Sequence, residues 1–153
     1  MPHTLVIGYG NPMRGDDGAG YVAAELLRER LQNPEVRIVS EQQLLPEMMQ
    51  EIAAAKMVIF IDASVSGRAG KYHRIPLRPA PVCGRFTHHA TPESLLAGAQ
   101  ALYGHTPEAV HYLIPGRFFE AGPEMTSSVK RAVNDLVEAL EKELSLQLTS
   151  ESL

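Results

Sequence analysis

The segment TLVIGYGNPMRGDDGAG spans Thr4 to Gly20. Its apolar start reads as a buried strand ending in a glycine turn. A glycine-rich loop after such a strand suggests phosphate binding, whereas adjacent acids repel phosphate and attract cations. The dinucleotide fingerprint G-x-G-x-x-G is matched by Gly8 and Gly10 but has Met13 at its third glycine, where a side chain obstructs close packing of helix on strand. A phosphate loop needs a lysine and a hydroxyl after its last glycine. Gly10 to Gly15 has the right interval, yet Asp16 and Asp17 follow. The loop therefore presents acid. Asp16 is placed to cap the next helix, where a carboxylate accepts backbone N–H bonds. In that role asparagine would replace it well. Asp17 then faces either solvent or a cation.

Downstream, strand-like and helix-like patterns alternate. From Asp17 to Leu31, Val22, Ala23, Leu26, Leu27 and Leu31 make one helical face. VRIVS (36–40) predicts a second strand, and LPEMMQEIAAA (45–55) a helix with Pro46 in its first turn. KMVIFIDAS (56–64) is a continuous apolar run, as in a central strand covered on both faces. KYHRIPL (71–77) contains Pro76 and predicts an edge strand or hairpin arm. TPESLLAGAQALYG (91–104) predicts a helix with Thr91 as N-cap, Pro92 at its first position and Gly104 near its C-cap. AVHYLIPG (109–116) predicts a fifth strand. A last helix is expected from about Pro123 to Leu144, with SLQLTSESL (145–153) as a polar tail. The alternation predicts one α/β domain over 1–144. Its architecture is a three-layer α/β/α sandwich around a mostly parallel five-stranded sheet.

The whole chain narrows the function classes. Its 153 residues suit one core, and 44% hydrophobic residues lie in the globular range. A net charge of -4 gives no electrostatic reason to expect nucleic acid. One cysteine, Cys83, rules out an intramolecular disulfide framework and suits a reducing compartment. No apolar run approaches the roughly 20 residues of a membrane span, and the first residues lack the pattern of a secretory signal. The expectation is a cytoplasmic protein.

Sites in parallel sheets gather at the carboxyl ends of the strands. Of the four aspartates, Asp16, Asp17 and Asp62 lie in loops at such ends. Asp62 ends an apolar strand, where a carboxylate is costly to bury without a partner. It is either a turn or capping residue or a ligand. His88 and His89 precede the third predicted helix. Two carboxylates and one imidazole suit a borderline divalent cation with open positions left over. Other hydrolytic signatures are missing. There is no G-x-S-x-G elbow and no H-E-x-x-H helix, and Cys83, between valine and glycine, fits an inert small side chain.

The motif order resembles the nickel–iron hydrogenase maturation proteases. GYGNPMRGDDGAG (8–20) is similar to that family's G-x-G-N-x-x-x-x-D-[DE]-x-x-G. QQLLPEM, VIFIDASVSG, THHATPESLLAGAQALYG and FEAGPEMTSSVKRAV resemble its later segments in the same order, over almost the full length. The resemblance implies an endopeptidase that removes a C-terminal extension from the hydrogenase large-subunit precursor after nickel insertion. It also implies that nickel is carried by the substrate and is the recognition handle. Carried over, the metal-binding trio is Asp17, Asp62 and His88, which also place the scissile bond. His88 precedes by two residues the position of Ala90, where the family pattern has leucine, and His89 lies beside it as the other choice. Asp17 stands where some members have glutamate, so the shorter side chain needs its backbone nearer the metal. A monomer is expected. Two other classes remain: a metallochaperone that stores nickel, and a nucleotide-binding α/β enzyme.

Overall fold

A computed structural model describes residues 3–80 and 90–151, with 146–151 as backbone only. Five strands form one sheet: β1 (Thr4–Tyr9), β2 (Val36–Glu41), β3 (Met57–Ser64), β4 (His73–Leu77) and β5 (Glu108–Pro115). Their order is β2-β1-β3-β5-β4. All neighbours are parallel except β4, which runs antiparallel to β5 at the sheet edge. Pro76 lies in that edge strand, where a missing N–H is tolerated.

Four helices cover the sheet: α1 (Ala19–Arg30), α2 (Met48–Ala54), α3 (Pro92–Tyr103) and α4 (Ser127–Glu151). Alternation along β3 explains the layers. Ile59 and Ile61 point to one face, into a cluster with Ala23 and Leu27 of α1 and Val133, Leu136 and Leu140 of α4. Val58 and Phe60 point to the other, with Ile52 of α2 and Leu95, Leu96 and Ala99 of α3. Both faces of β3 are dry, so its sequence reads as an unbroken apolar run. The result is the expected α/β sandwich. Each fully buried Leu, Ile or Phe contributes about 1.5–3 kcal/mol of transfer free energy.

The helix ends differ in part from the sequence reading. Thr91 and Ser94 form a reciprocal capping box, Pro92 opens α3, and Gly104 closes it in the left-handed region at φ 73°. Helix α1, however, starts at Ala19, after a single 3-10 turn over Gly15–Gly18. Its N-cap is Gly18, with no side-chain cap, so Asp16 does not cap it. Helix α4 starts at Ser127 rather than near Pro123, because Thr126 is bound to Asp16 just before it. It continues to Glu151, beyond the expected end at Leu144. Its last residues contain no glycine or proline to stop it.

Candidate functional site

The glycines of the opening loop set the site by allowing close approach. A Cβ on Gly20 would collide with the carbonyl oxygen of Ile61 and lie 2.6 Å from that of Tyr9. The first turn of α1 thus rests directly on the ends of β1 and β3. Gly10 has φ 138°, a conformation that favours glycine, and a Cβ there would collide with the Asp17 carbonyl. The loop therefore folds onto the 3-10 turn. These contacts place Asp17 above the strand ends, three residues before Gly20, while Asp62 follows Ile61 directly. The glycines serve packing, and that packing sets the positions of the acids next to them.

Asp17 accepts the Asn11 backbone N–H through Oδ2 at 2.9 Å. Asn11 in turn accepts the Met13 N–H through its side-chain oxygen at 2.9 Å. The asparagine of the opening motif thus shapes the loop that carries Asp17.

Asp62 lies on the α2/α3 face of the sheet, by the same alternation that points Phe60 there. Its Oδ1 accepts the Ala63 N–H at 2.8 Å. Burial pushes its carboxyl pKa up to about 7; the Ala63 amide and the Tyr9 hydroxyl oppose the shift, and the Asp17 charge adds to it. A cation placed near Asp62 would favour its charged form, against the effect of burial. The same face carries α3, whose N-terminus follows the segment holding His88.

His88, His89 and Cys83 lie outside the described residues. Among the described residues, no three His, Cys, Asp or Glu side chains gather as metal ligands. The structure thus brings Asp17 and Asp62 within electrostatic reach of each other and leaves the third expected ligand undescribed.

Asp16 has a different role from the one expected of it. It is fully buried. Its Oδ2 accepts the Arg117 N–H at 2.7 Å and the Phe118 N–H at 2.9 Å. Its Oδ1 accepts the Thr126 N–H at 2.7 Å, and the Thr126 hydroxyl lies 3.1 and 3.0 Å from the two oxygens. Asp16 therefore ties the opening loop to the segment between β5 and α4. Burial alone would raise its pKa, but the bonds from Arg117, Thr126 and Phe118 outweigh it and hold the carboxyl below its ordinary value.

Two further polar residues were not singled out from the sequence. Tyr9 lies at the end of β1 and His111 lies inside β5, and the Tyr9 hydroxyl is 3.1 Å from His111 Nε2. The one available signal was a histidine inside an apolar strand, since buried polar groups need partners.

Neither a family model nor a curated protein matches the chain. Solved structures do. The maturation protease HycI from Thermococcus kodakarensis KOD1 is similar at TM-score 0.77 and 23% identity, over 94% of this chain and 92% of that one. A hydrogenase 2 maturation peptidase from a Thaumarchaeota archaeon is similar at TM-score 0.69 and 25% identity, over 94% and 99%. The hydrogenase maturating endopeptidase HybD from E. coli is similar at TM-score 0.71 and 20% identity, over 99% and 94%. The chain thus has the fold of the nickel–iron hydrogenase maturation proteases.

Proposed function

We propose that this protein is an endopeptidase that trims the C-terminal extension from the precursor of a nickel–iron hydrogenase large subunit once nickel is in place. Nickel belongs to the substrate and is the handle by which the precursor is recognised. Asp17, Asp62 and His88 dock onto it and so bring the scissile bond to the carboxyl ends of the central strands. Hydrolysis then proceeds either by metal polarisation of the carbonyl or of a water, or with a carboxylate as general base. The enzyme works as a cytoplasmic monomer on a protein partner, away from nucleic acid and membrane. Among the described residues no helix is long and apolar enough to cross a membrane.

The observation that carries this reading is the pairing of Asp17 with Asp62, whose carboxyl is poised near neutrality by burial and by the neighbouring acid. A site of that kind suits a metal that arrives already held by other ligands. A nickel-storing chaperone would favour histidine- or cysteine-rich tracts, which this sequence lacks. A nucleotide enzyme would meet two carboxylates at its phosphate loop. The test is incubation with nickel-loaded and nickel-free precursor, with the C-terminus read by mass spectrometry. Trimming of the loaded form alone is expected. Trimming of both forms would remove nickel from recognition, and trimming of neither would remove the protease reading.

A further inference from the structure

Strands β1 and β3 pair in parallel up to Gly8 and Ile61, so Tyr9 and Asp62 come next to each other at the open end. On the following strand, His111 pairs with Phe60. Side-chain alternation points Tyr9, Asp62, Phe60 and His111 to the same face. The His111 ring is held between two aromatic neighbours. It stacks on Tyr9 with centroids 6.1 Å apart and planes at 21°, and it meets Phe60 edge-on at 6.3 Å and 73°. The Tyr9 hydroxyl lies 3.1 Å from His111 Nε2, and the strand register sets the Asp62 side chain beside it on the same face.

A hydroxyl has one proton to give, and a carboxylate accepts it more strongly than a neutral imidazole does. We propose that Tyr9 and His111 are positioning residues for Asp62, with His111 Nε2–H donating to the Tyr9 hydroxyl and the hydroxyl donating to the carboxylate. This rests on the reading of Asp62 as a ligand of the substrate's nickel. The Ala63 amide and the Tyr9 hydroxyl would then occupy part of the Asp62 lone-pair set and fix the carboxylate plane, leaving the remaining lone pairs for the metal. Burial also lowers the His111 pKa, against the opposing charge of Glu93, which favours the neutral ring that this chain of bonds requires. An apolar layer alone would be served by phenylalanine and leucine at these two positions. Here the imidazole meets the hydroxyl, and the hydroxyl lies next to the acid in strand register.

The tautomer of His111 reports the direction of the chain and needs no precursor. In purified wild-type protein without nickel near pH 7.5, long-range proton–nitrogen NMR should show a neutral His111 ring protonated at Nε2. In Asp62→Ala the hydroxyl loses its carboxylate and should turn to Nε2, switching the ring to the Nδ1–H form. A wild-type ring protonated at Nδ1, or at both nitrogens, would overturn the inference. The functional arm uses Tyr9→Phe, which keeps the ring stack and removes only the hydroxyl. Its KM for nickel-loaded precursor should rise about tenfold, as for loss of a group that orients a metal ligand, with kcat within about twofold and the melting temperature little changed. An unchanged KM would overturn the positioning role. Absence of trimming by wild type would instead count against the protease reading, while the tautomer still decides the hydrogen-bond chain.

Discussion

Asp16, in the turn after β1, and Asp62, near the end of β3, are acids at the same, carboxyl-terminal end of the strands, with opposite surroundings. Asp16 has no exposed surface, and both its oxygens are met by donors from Arg117, Phe118 and Thr126. Its carboxylate is complete, and its pKa lies below the ordinary value. Asp62 has one backbone donor, from Ala63, and its pKa rises to about 7. Desolvation raises the pKa of both groups; at Asp16 the donors outweigh it, and at Asp62 they do not. The fold uses one acid to join its loops and leaves the other short of partners. Under the proposed function a cation brought by the substrate would complete the second, whereas both oxygens of the first already have donors.

The comparison breaks most easily at the proposed ligands. Asp17→Asn and His88→Ala should each abolish processing of nickel-loaded precursor while circular dichroism stays that of wild type. Retained trimming in either would remove that residue from the docking set. Next in size is Asp16→Asn. An asparagine amide would turn N–H groups toward the N–H donors that Asp16 now accepts, so the variant should lose about 2–4 kcal/mol in equilibrium denaturation. A loss below about 0.5 kcal/mol would mean that the four bonds add little, as simple helix capping would have implied.

The acids should also pull stability in opposite directions with pH. The folded pKa of Asp16 is depressed, so its contribution is present above the ordinary carboxylate value of about 3.9 and is lost as pH falls through its folded value. The folded pKa of Asp62 is raised to about 7, so its contribution is present in acid and is lost as pH rises through about 7. Melting curves from pH 3 to pH 8 should therefore flatten below about pH 4 in Asp16→Asn and between about pH 4 and pH 7 in Asp62→Asn. Neither slope should exceed about 1.4 kcal/mol per pH unit for a single proton. Flattening in the same range in both variants would contradict the contrast. The smallest effect is expected for His89→Ala, which should keep most of its processing activity. Loss there with activity kept in His88→Ala would exchange the two histidines.

Much of the fold was legible because its signals are local. Pro76 marked an edge strand, the unbroken run of β3 marked a strand covered on both faces, and Thr91 with Pro92 marked the start of α3. The misreadings had distant causes. Asp16 looked like a cap because Asp before a helix usually is one, yet its partners lie 101 to 110 residues away. The start of α4 moved to Ser127 through the same contacts. Tyr9 and His111, 102 residues apart, meet only across three strands of the sheet, and no spacing rule joins them. Asp17 and Asp62 came together from the resemblance, and the physical reason is the close seating of Gly20 on Ile61.

Asp62→Asn separates ligand from structure in one preparation. Wild type and variant would be compared at pH 8 by thermal melting and by incubation with nickel-loaded precursor, the product C-terminus being read by mass spectrometry. Asparagine keeps the size of the side chain and removes a charge that burial disfavours. The variant is therefore predicted to melt no lower than wild type and to leave the precursor at full length. Trimming at the wild-type rate, or a melting temperature well below that of wild type, would contradict the assignment of Asp62 as an acid held in reserve for the substrate's metal.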